Sequence, residues 1–423
     1  MNGGSRITVT GTFCSLNKGD AAMRMALTSE LRKAIPNCHI TVMTPFPEID
    51  RAAYSSDQVL RCSRRRPIRA AAMILRALAW RAARRLLGRD MPAILNEELR
   101  VYRQSDLVVD LSGDGLTEEY GVKCLFSHLV PIILGKLLGK PVFVCAQTIG
   151  PLHRTGSVCR WLLKKVDGIS ARERLTFDYL SKIGLNGVSL ALTADIGFLL
   201  EPIPDEQAKE ILIRERVPLD RPLVGFAISR LPGHVRGTRQ SQEPSKIEME
   251  MAEVLDAVAA MGLQPVIVSH TTGPGERRDD RRAAVRVANL ARRPLRIAVL
   301  LGDYSAEETK GVIKQMELFV GMRMHSCIAA LSSGVPTISI AQGPKAYGVM
   351  NLCQQGRWVI DIRQVTAERV TAMIREAWEA RAATRESLCA QMPAIRALAQ
   401  ENVAIIKRLL KCEDKLRQAV PQV

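Results

Sequence analysis

Arg323 and His325, two residues apart, and Lys345 further on are the side chains here best suited to anion and proton chemistry. A guanidinium forks onto carboxylate or phosphate. An imidazole exchanges protons near neutrality, and an ammonium neutralises a leaving anion as a point charge. The apolar run 318–320 just before the pair reads as a buried strand. Ser326 is placed to cap a short helix over 327–333, which Gly334 stops. Pro336 opens a second strand over 337–340, and the polar loop after it carries Lys345. Three cationic or titratable groups therefore fall at one end of two adjacent strands, and in a parallel sheet the carboxyl end is where ligands bind. An anion site is the favoured reading. The alternative is a strand–helix–strand unit whose Arg and His only satisfy carbonyls.

The same pattern runs along the rest of the chain. Residues 6–10 form the first strand, and the loop after it carries Asn17 and Asp20 into a helix over 21–34. Asp20 is placed as the cap, and the exposed amides of that helix start would attract an anion. The loop has neither Gly-x-Gly-x-x-Gly nor a Walker spacing, so an ordinary strand-to-helix connection is equally open. Strands follow over 39–43, 106–111, 141–146, 167–171 and 188–193. The last four of these lead to Asp114, Gln147, Arg172 and Asp195 in turn. Asp114, between two glycines, suits acceptance of sugar hydroxyls, or else marks a glycine-rich turn.

Prolines at 202, 204, 218 and 222 break the pattern and mark a domain junction. A second series follows over 223–228, 265–269 (ending at His270), 296–300, 317–320 and 337–340, with helix from 365 onward. The division expected is 1–204, an amino-terminal Rossmann-like domain on the acceptor side, and 205–365, a second such domain on the donor and anion side. Residues 366–423 would be carboxyl-terminal helices that could cross back to the first domain. The loop 229–245 has little apolar content and is expected to move, and the tail beyond Gln418 to fray.

With 423 residues the chain is too long for one core. Sixty basic residues against 43 acidic give a charge of +17, which suits anionic partners without choosing among them. The ten cysteines show no zinc or Cys-x-x-Cys spacing and read as reduced thiols of a cytoplasmic protein. No signal peptide or membrane-spanning run is visible. Residues 61–89 stand apart, with ten arginines and no acid. At 100° per residue Ile68, Leu75, Ala79, Ala82, Ala83 and Leu86 share a narrow face. Two readings stay open: a helix lying on an anionic membrane surface, or a solvated cationic helix packed on the sheet by that stripe.

Together these stretches resemble the polysaccharide pyruvyl transferase family. The resemblance rests on Asn17-Lys-Gly-Asp20, the turn over 106–115, Gln147-Thr-Ile-Gly-Pro151, Ser170-Ala-Arg-Glu173, Asp195, Arg323-Met-His325 and Pro344-Lys345, in order across roughly residues 5–365. Two departures concern the acceptor: Ser-Gly-Asp-Gly where many members show three glycines, and Glu173 where an Asp is common. The fold expected is α/β, two Rossmann-like domains facing across a cleft as in GT-B glycosyltransferases, with carboxyl-terminal helices. The resemblance implies transfer of a pyruvyl group from phosphoenolpyruvate to two hydroxyls of a sugar, closing a cyclic ketal without metal or cofactor. His325 would then be the proton-transfer residue, with Arg323 and Arg172 clamping the donor. Asn17, Asp20, Asp114, Gln147, Asp195 and Lys345 would bind substrate. The sugar acceptor could be lipid-linked, with peripheral contact at the inner face of the membrane, and no nucleic acid is expected. A nucleotide-sugar glycosyltransferase is the alternative, and a basic non-enzymatic module the third reading.

Overall fold

The computed structural model describes residues 4–53, 58–229 and 244–419. Most of the loop expected to move, 230–243, and the tail residues 420–423 lie outside these.

The chain divides into two units. The first comprises Met1–Ser15, Met23–Leu199 and Arg396–Val423. Its strands are β1 (Arg6–Thr10), β2 (His39–Thr44), β3 (Gln58–Arg61), β4 (Leu107–Asp110), β5 (Val142–Gln147), β6 (Gly168–Ala171) and β7 (Ser189–Leu192). They pair in parallel in the order β3-β2-β1-β4-β5-β6-β7. β4 and β5 are buried along their whole length, which is why they read as unbroken apolar runs rather than alternating ones.

The second unit comprises Leu16–Ala22 and Leu200–Ile395. Its strands are β8 (Leu223–Ala227), β9 (Gln264–Ile267), β10 (Ala298–Val299), β11 (Leu318–Gly321), β12 (Thr337–Ala341) and β13 (Val359–Asp361). They too are parallel, in the order β10-β9-β8-β11-β12-β13. In both sheets the strand order reverses beside the first strand, so each unit has the switch point at which Rossmann-like sheets take ligands. The fold is therefore α/β with two Rossmann-like units, as the strand spacing predicted.

Four details differ from the sequence reading. β3 and β13 are short edge strands whose few residues carry too little pattern to be seen. The carboxyl-terminal helices are not a block of their own: Ala367–Glu379 belongs to the second unit, and the long helix Arg381–Ala419 crosses back to the first at Arg396, the one part of this that the sequence suggested. There Asn402 is buried, accepting from Ser170 Oγ at 2.6 Å and Thr193 Oγ1 at 3.2 Å and donating to the Ala194 carbonyl. The helix after β1 runs Lys18–Ala34, so Asp20 lies inside its first turn rather than capping it.

The basic helix, Pro67–Leu87, packs by a face other than the one expected. Ala70, Met73, Ala77 and Trp80 are buried, while Ile68, Leu75 and Leu86 are in solvent. Small alanines let the helix lie close to its neighbour Val122–Leu137, and Trp80 donates to Asp90 Oδ1 at 2.8 Å. None of the ten cysteines forms a disulfide. Among the described residues no helix is long and apolar enough to cross a membrane.

Candidate active site

The second unit gathers its chemistry at the carboxyl edge of β9, β8 and β11. β11 delivers Arg323 and then His325, the second residue of the helix Met324–Leu331. That helix begins earlier than the sequence suggested. Its start has no side-chain cap, and Ser326 instead donates back to the Arg323 carbonyl at 2.6 Å. Arg323 is held by a bidentate fork to buried Asp280, Nε at 2.6 Å and Nη2 at 2.7 Å. Asp280 also accepts from the Thr271 amide at 3.0 Å, so one carboxylate fixes Arg323 and the segment after β9 together. Nη1 is the nitrogen outside this fork, and it is the part of Arg323 suited to an added anion.

His270, in the segment after β9, is buried, and both its ring nitrogens lack a protein hydrogen-bond partner. Burial first, then the positive charges of His325, Arg323 and Lys18, push its pKa well below the ordinary imidazole value. It is a neutral imidazole that a ligand or water must satisfy.

The start of the Lys18–Ala34 helix completes this cluster. Asn17 bridges to Thr271, and the Lys18 amide donates to the His270 carbonyl at 3.0 Å. Asn17 caps the helix, accepting from the Gly19 amide at 3.2 Å and donating to Asp20 at 3.0 Å. Two of the amides expected to attract an anion are thus already engaged. The Lys18 ammonium, buried, reaches Asp303 at 2.7 Å. Partial burial would raise the Asp303 carboxyl, but the Lys18 bond and charge outweigh this and hold it below the usual carboxylate range. Gly19 lies against the His325 ring, with no room for a side chain. Lys345 sits at the start of the helix Pro344–Leu352 after the neighbouring β12, at the same edge.

The first unit has its own polar edge. Gln147, buried, donates to the Asp110 carbonyl at 3.0 Å and to its carboxylate, and Ser112 donates to both carboxylate oxygens at 2.8 Å. Burial raises the Asp110 pKa to about 6, opposed by those two donors and by Arg64. Arg64, also buried, donates to the Gly11 and Thr12 carbonyls and bonds His128 at 2.9 Å. Asp114 is half-buried and accepts from the Tyr120 hydroxyl at 2.8 Å. Thr12 Oγ1, Gln147 Oε1 and Arg172 Nη2 are buried without a protein partner, which marks this edge as a place for water or a hydroxyl-bearing ligand.

Arg172 and Asp195 differ from expectation. Both are fully buried, joined at 2.6 Å, with Arg172 also donating to Thr148 at 2.9 Å and Asp195 accepting from the Gly197 amide. They hold each other in place, and Arg172 has no solvent-facing fork for a donor anion; its one nitrogen without a protein partner, Nη2, is buried at this edge. Glu173 is a helix cap, accepting from the Thr176 amide, so its carboxylate has a structural task that an Asp could share. The structure brings Asn17, Asp20, Arg323 and His325 into one unit, and Asp114, Gln147, Arg172 and Asp195 into the other. The sequence reading omitted His270, Asp280, Lys18 and Asp110 from the site. His270 carried a signal, as a polar residue closing an apolar run.

Among the described residues no group of three or more His, Cys, Asp or Glu side chains is placed to hold a metal ion. Comparison with solved structures supports the fold. The chain superposes on UDP-GlcNAc 2-epimerase from Neisseria meningitidis bound to UDP-GlcNAc with a TM-score of 0.61, at 10% identity over 96% of this chain and 100% of that one. A glycosyltransferase from Rickettsia africae gives 0.56, at 10% identity over 97% and 100%. Amylovoran biosynthesis protein AmsJ of Erwinia amylovora is 22% identical over 303 residues, 67% of this chain and 68% of that protein. Residues 17–344, from the Asn17 cap through the His325 cluster to Pro344, match the polysaccharide pyruvyl transferase family, and the chain belongs to that family.

Proposed function

We propose that this protein transfers the pyruvyl group of phosphoenolpyruvate to two hydroxyls of a sugar, in the biosynthesis of a cell-surface polysaccharide. The carrying observation is the convergence of His325, His270, Arg323 and Lys18 at one sheet edge. Family membership and the amylovoran relative support the substrate class.

The donor carries a phosphate and a carboxylate, which suit Arg323 Nη1 and the buried Lys18 charge. Imidazolium His325 gives its proton to carbon 3, making the methyl group and leaving carbon 2 electrophilic. The first sugar hydroxyl adds to carbon 2 and returns its proton to His325. The bond from carbon 2 to the phosphate oxygen then breaks, and the second hydroxyl closes the ketal, its proton leaving with the phosphate. One hydroxyl proton thus ends in the methyl group and the other on phosphate. Neutral His270 donates one N–H to the donor and holds its charge close to Arg323. Lys345 is assigned to the departing phosphate. Asp114 and Gln147 are assigned to sugar hydroxyls, with Asp110 and Ser112 holding Gln147 in place. No metal or cofactor takes part in this scheme.

The test is incubation of the purified chain with phosphoenolpyruvate and a panel of sugars, following phosphate release and a new ketal methyl signal. Release that needs both donor and sugar supports the proposal. Consumption of a nucleotide sugar with no phosphate from phosphoenolpyruvate would move the chain to the glycosyltransferase reading.

A further inference from the structure

The helix Pro67–Leu87 has two apolar faces, and only one is used by the fold. Ala70, Met73, Ala77 and Trp80 point inward. Roughly 180° around the helix stand Ile68, Leu75 and Leu86, within about 20° of one another at 100° per residue. They are 85%, 66% and 81% exposed. Leu78, also exposed, stands about 60–80° to one side of them. Arg69 and Arg76 flank this crest on one side and Arg85 on the other, all exposed, with no acidic residue between positions 61 and 89. Arg81 and Arg84 are part of the fold, one donating to the Lys136 carbonyl at 3.1 Å, the other over the Trp80 ring.

We infer that this outer face is a docking surface for an anionic lipid bilayer, with Ile68, Leu75 and Leu86 entering the acyl boundary and Arg69, Arg76 and Arg85 on the headgroup phosphates. A crest of large aliphatic side chains between two basic rows is the pattern of a helix lying in the interface plane. At 1.5 Å per residue its 21 residues would lie along about 30 Å of membrane surface. Charge selects this occupant over others. A second copy meeting the face about a two-fold axis would set like-charged arginine rows against each other. A nucleic acid would use the arginines but has no use for an aliphatic crest, and the helix's one aromatic, Trp80, is buried. The inference is independent of the chemistry proposed above, since it concerns only where the protein resides.

The experiment is co-sedimentation of the full chain with phosphatidylcholine vesicles, with and without phosphatidylglycerol, at low and high salt. The protein should pellet with the anionic vesicles only. Changing Arg69, Arg76 and Arg85 together to Gln should lower the partition coefficient roughly 100-fold at low salt, at about one surface-charge contribution per arginine. Changing Leu75 and Leu86 to Ser should lower it at least about tenfold in either salt, because apolar insertion is not screened. Melting temperatures should stay within a few degrees, since all five side chains are in solvent. No binding to anionic vesicles, or wild-type binding by either variant, would overturn the inference. So would a dimer abolished by the leucine changes, or salt-sensitive binding to duplex DNA, if either occurred without vesicle binding.

Discussion

A β-carbon built on Gly19 would lie 2.5 Å from Nδ1 of His325, 2.6 Å from its Cγ and 2.7 Å from its Cβ. All three atoms lie at the root of the imidazole, so turning the ring cannot relieve the contact. The backbone at the start of the Lys18–Ala34 helix is thus one wall of the His325 pocket. Gly19→Ala should displace the imidazole and cut turnover by roughly 100-fold, the scale of a misplacement near 1 Å. Melting should drop by a few degrees at most, because the better helix propensity of alanine, about 1 kcal/mol, offsets part of an overpacking cost of about 1–3 kcal/mol. Unchanged turnover would show that His325 tolerates displacement and is not the reacting group.

His325→Ala should lower the turnover rate by about 10²–10⁴, the size of a general acid–base contribution. The KM for phosphoenolpyruvate should move far less, because a proton-transfer group acts mainly in the transition state. Normal turnover with lost donor affinity would instead make His325 an anion ligand and place the proton donor elsewhere.

Arg323→Lys should raise the KM for phosphoenolpyruvate roughly 10–100-fold, the loss of one charge-assisted hydrogen bond, with a smaller effect on turnover. Lys can reach Asp280 with one bond, but it cannot fork to Asp280 and offer a second nitrogen to the donor. A lower melting temperature with unchanged KM would reduce Arg323 to a partner of Asp280.

Asp110 gives a pH prediction. Its folded pKa, about 6, lies above the ordinary 3.8 of an aspartate, so the folded state holds its proton more tightly than the unfolded chain. That stability is fully present below about pH 4 and is lost as pH rises through about 6. Asp110→Asn keeps the neutral form at every pH. The variant should match the wild type near pH 4 and be more stable by about 1–3 kcal/mol above pH 6, read from denaturant melts at each pH. His270, whose pKa is depressed, acts in the opposite sense, with stability falling as pH drops below the ordinary imidazole value. The comparison must therefore be between variant and wild type, not along one curve. A variant less stable by the same amount at all pH values would show that the carboxylate's hydrogen bonds outweigh its burial.

The parallel strands were legible because they are buried on both faces and read as apolar runs, 318–320 and 142–146 among them. The polar residue closing each run was legible for the same reason, since the run ends where the chain meets solvent or ligand. What each polar residue bonds was not legible. Arg172 and Arg323 look alike in the sequence, yet one is sealed against Asp195 and the other forks onto Asp280 at a half-exposed edge. Asp280 lies in a stretch of charges with nothing to distinguish it from Asp279. The Pro67–Leu87 helix misled because alanine scores as mildly apolar on any face. Periodicity favoured the stripe carrying Ile68, Leu75 and Leu86, while packing selected the one with Ala70, Met73, Ala77 and Trp80.

Asn402 has a consequence for synthesis. It closes the hydrogen bonds of Ser170 and Thr193, yet it leaves the ribosome after the whole of the segment Leu200–Ile395. At about 5–20 residues per second, that interval lasts on the order of 10–40 s. The unit begun first is therefore finished last, and a nascent chain must keep Ser170 and Thr193 waiting while its second sheet forms. A release factor or stop codon acting anywhere before position 396 would leave both hydroxyls without their Asn402 partner, whatever the state of the later domain.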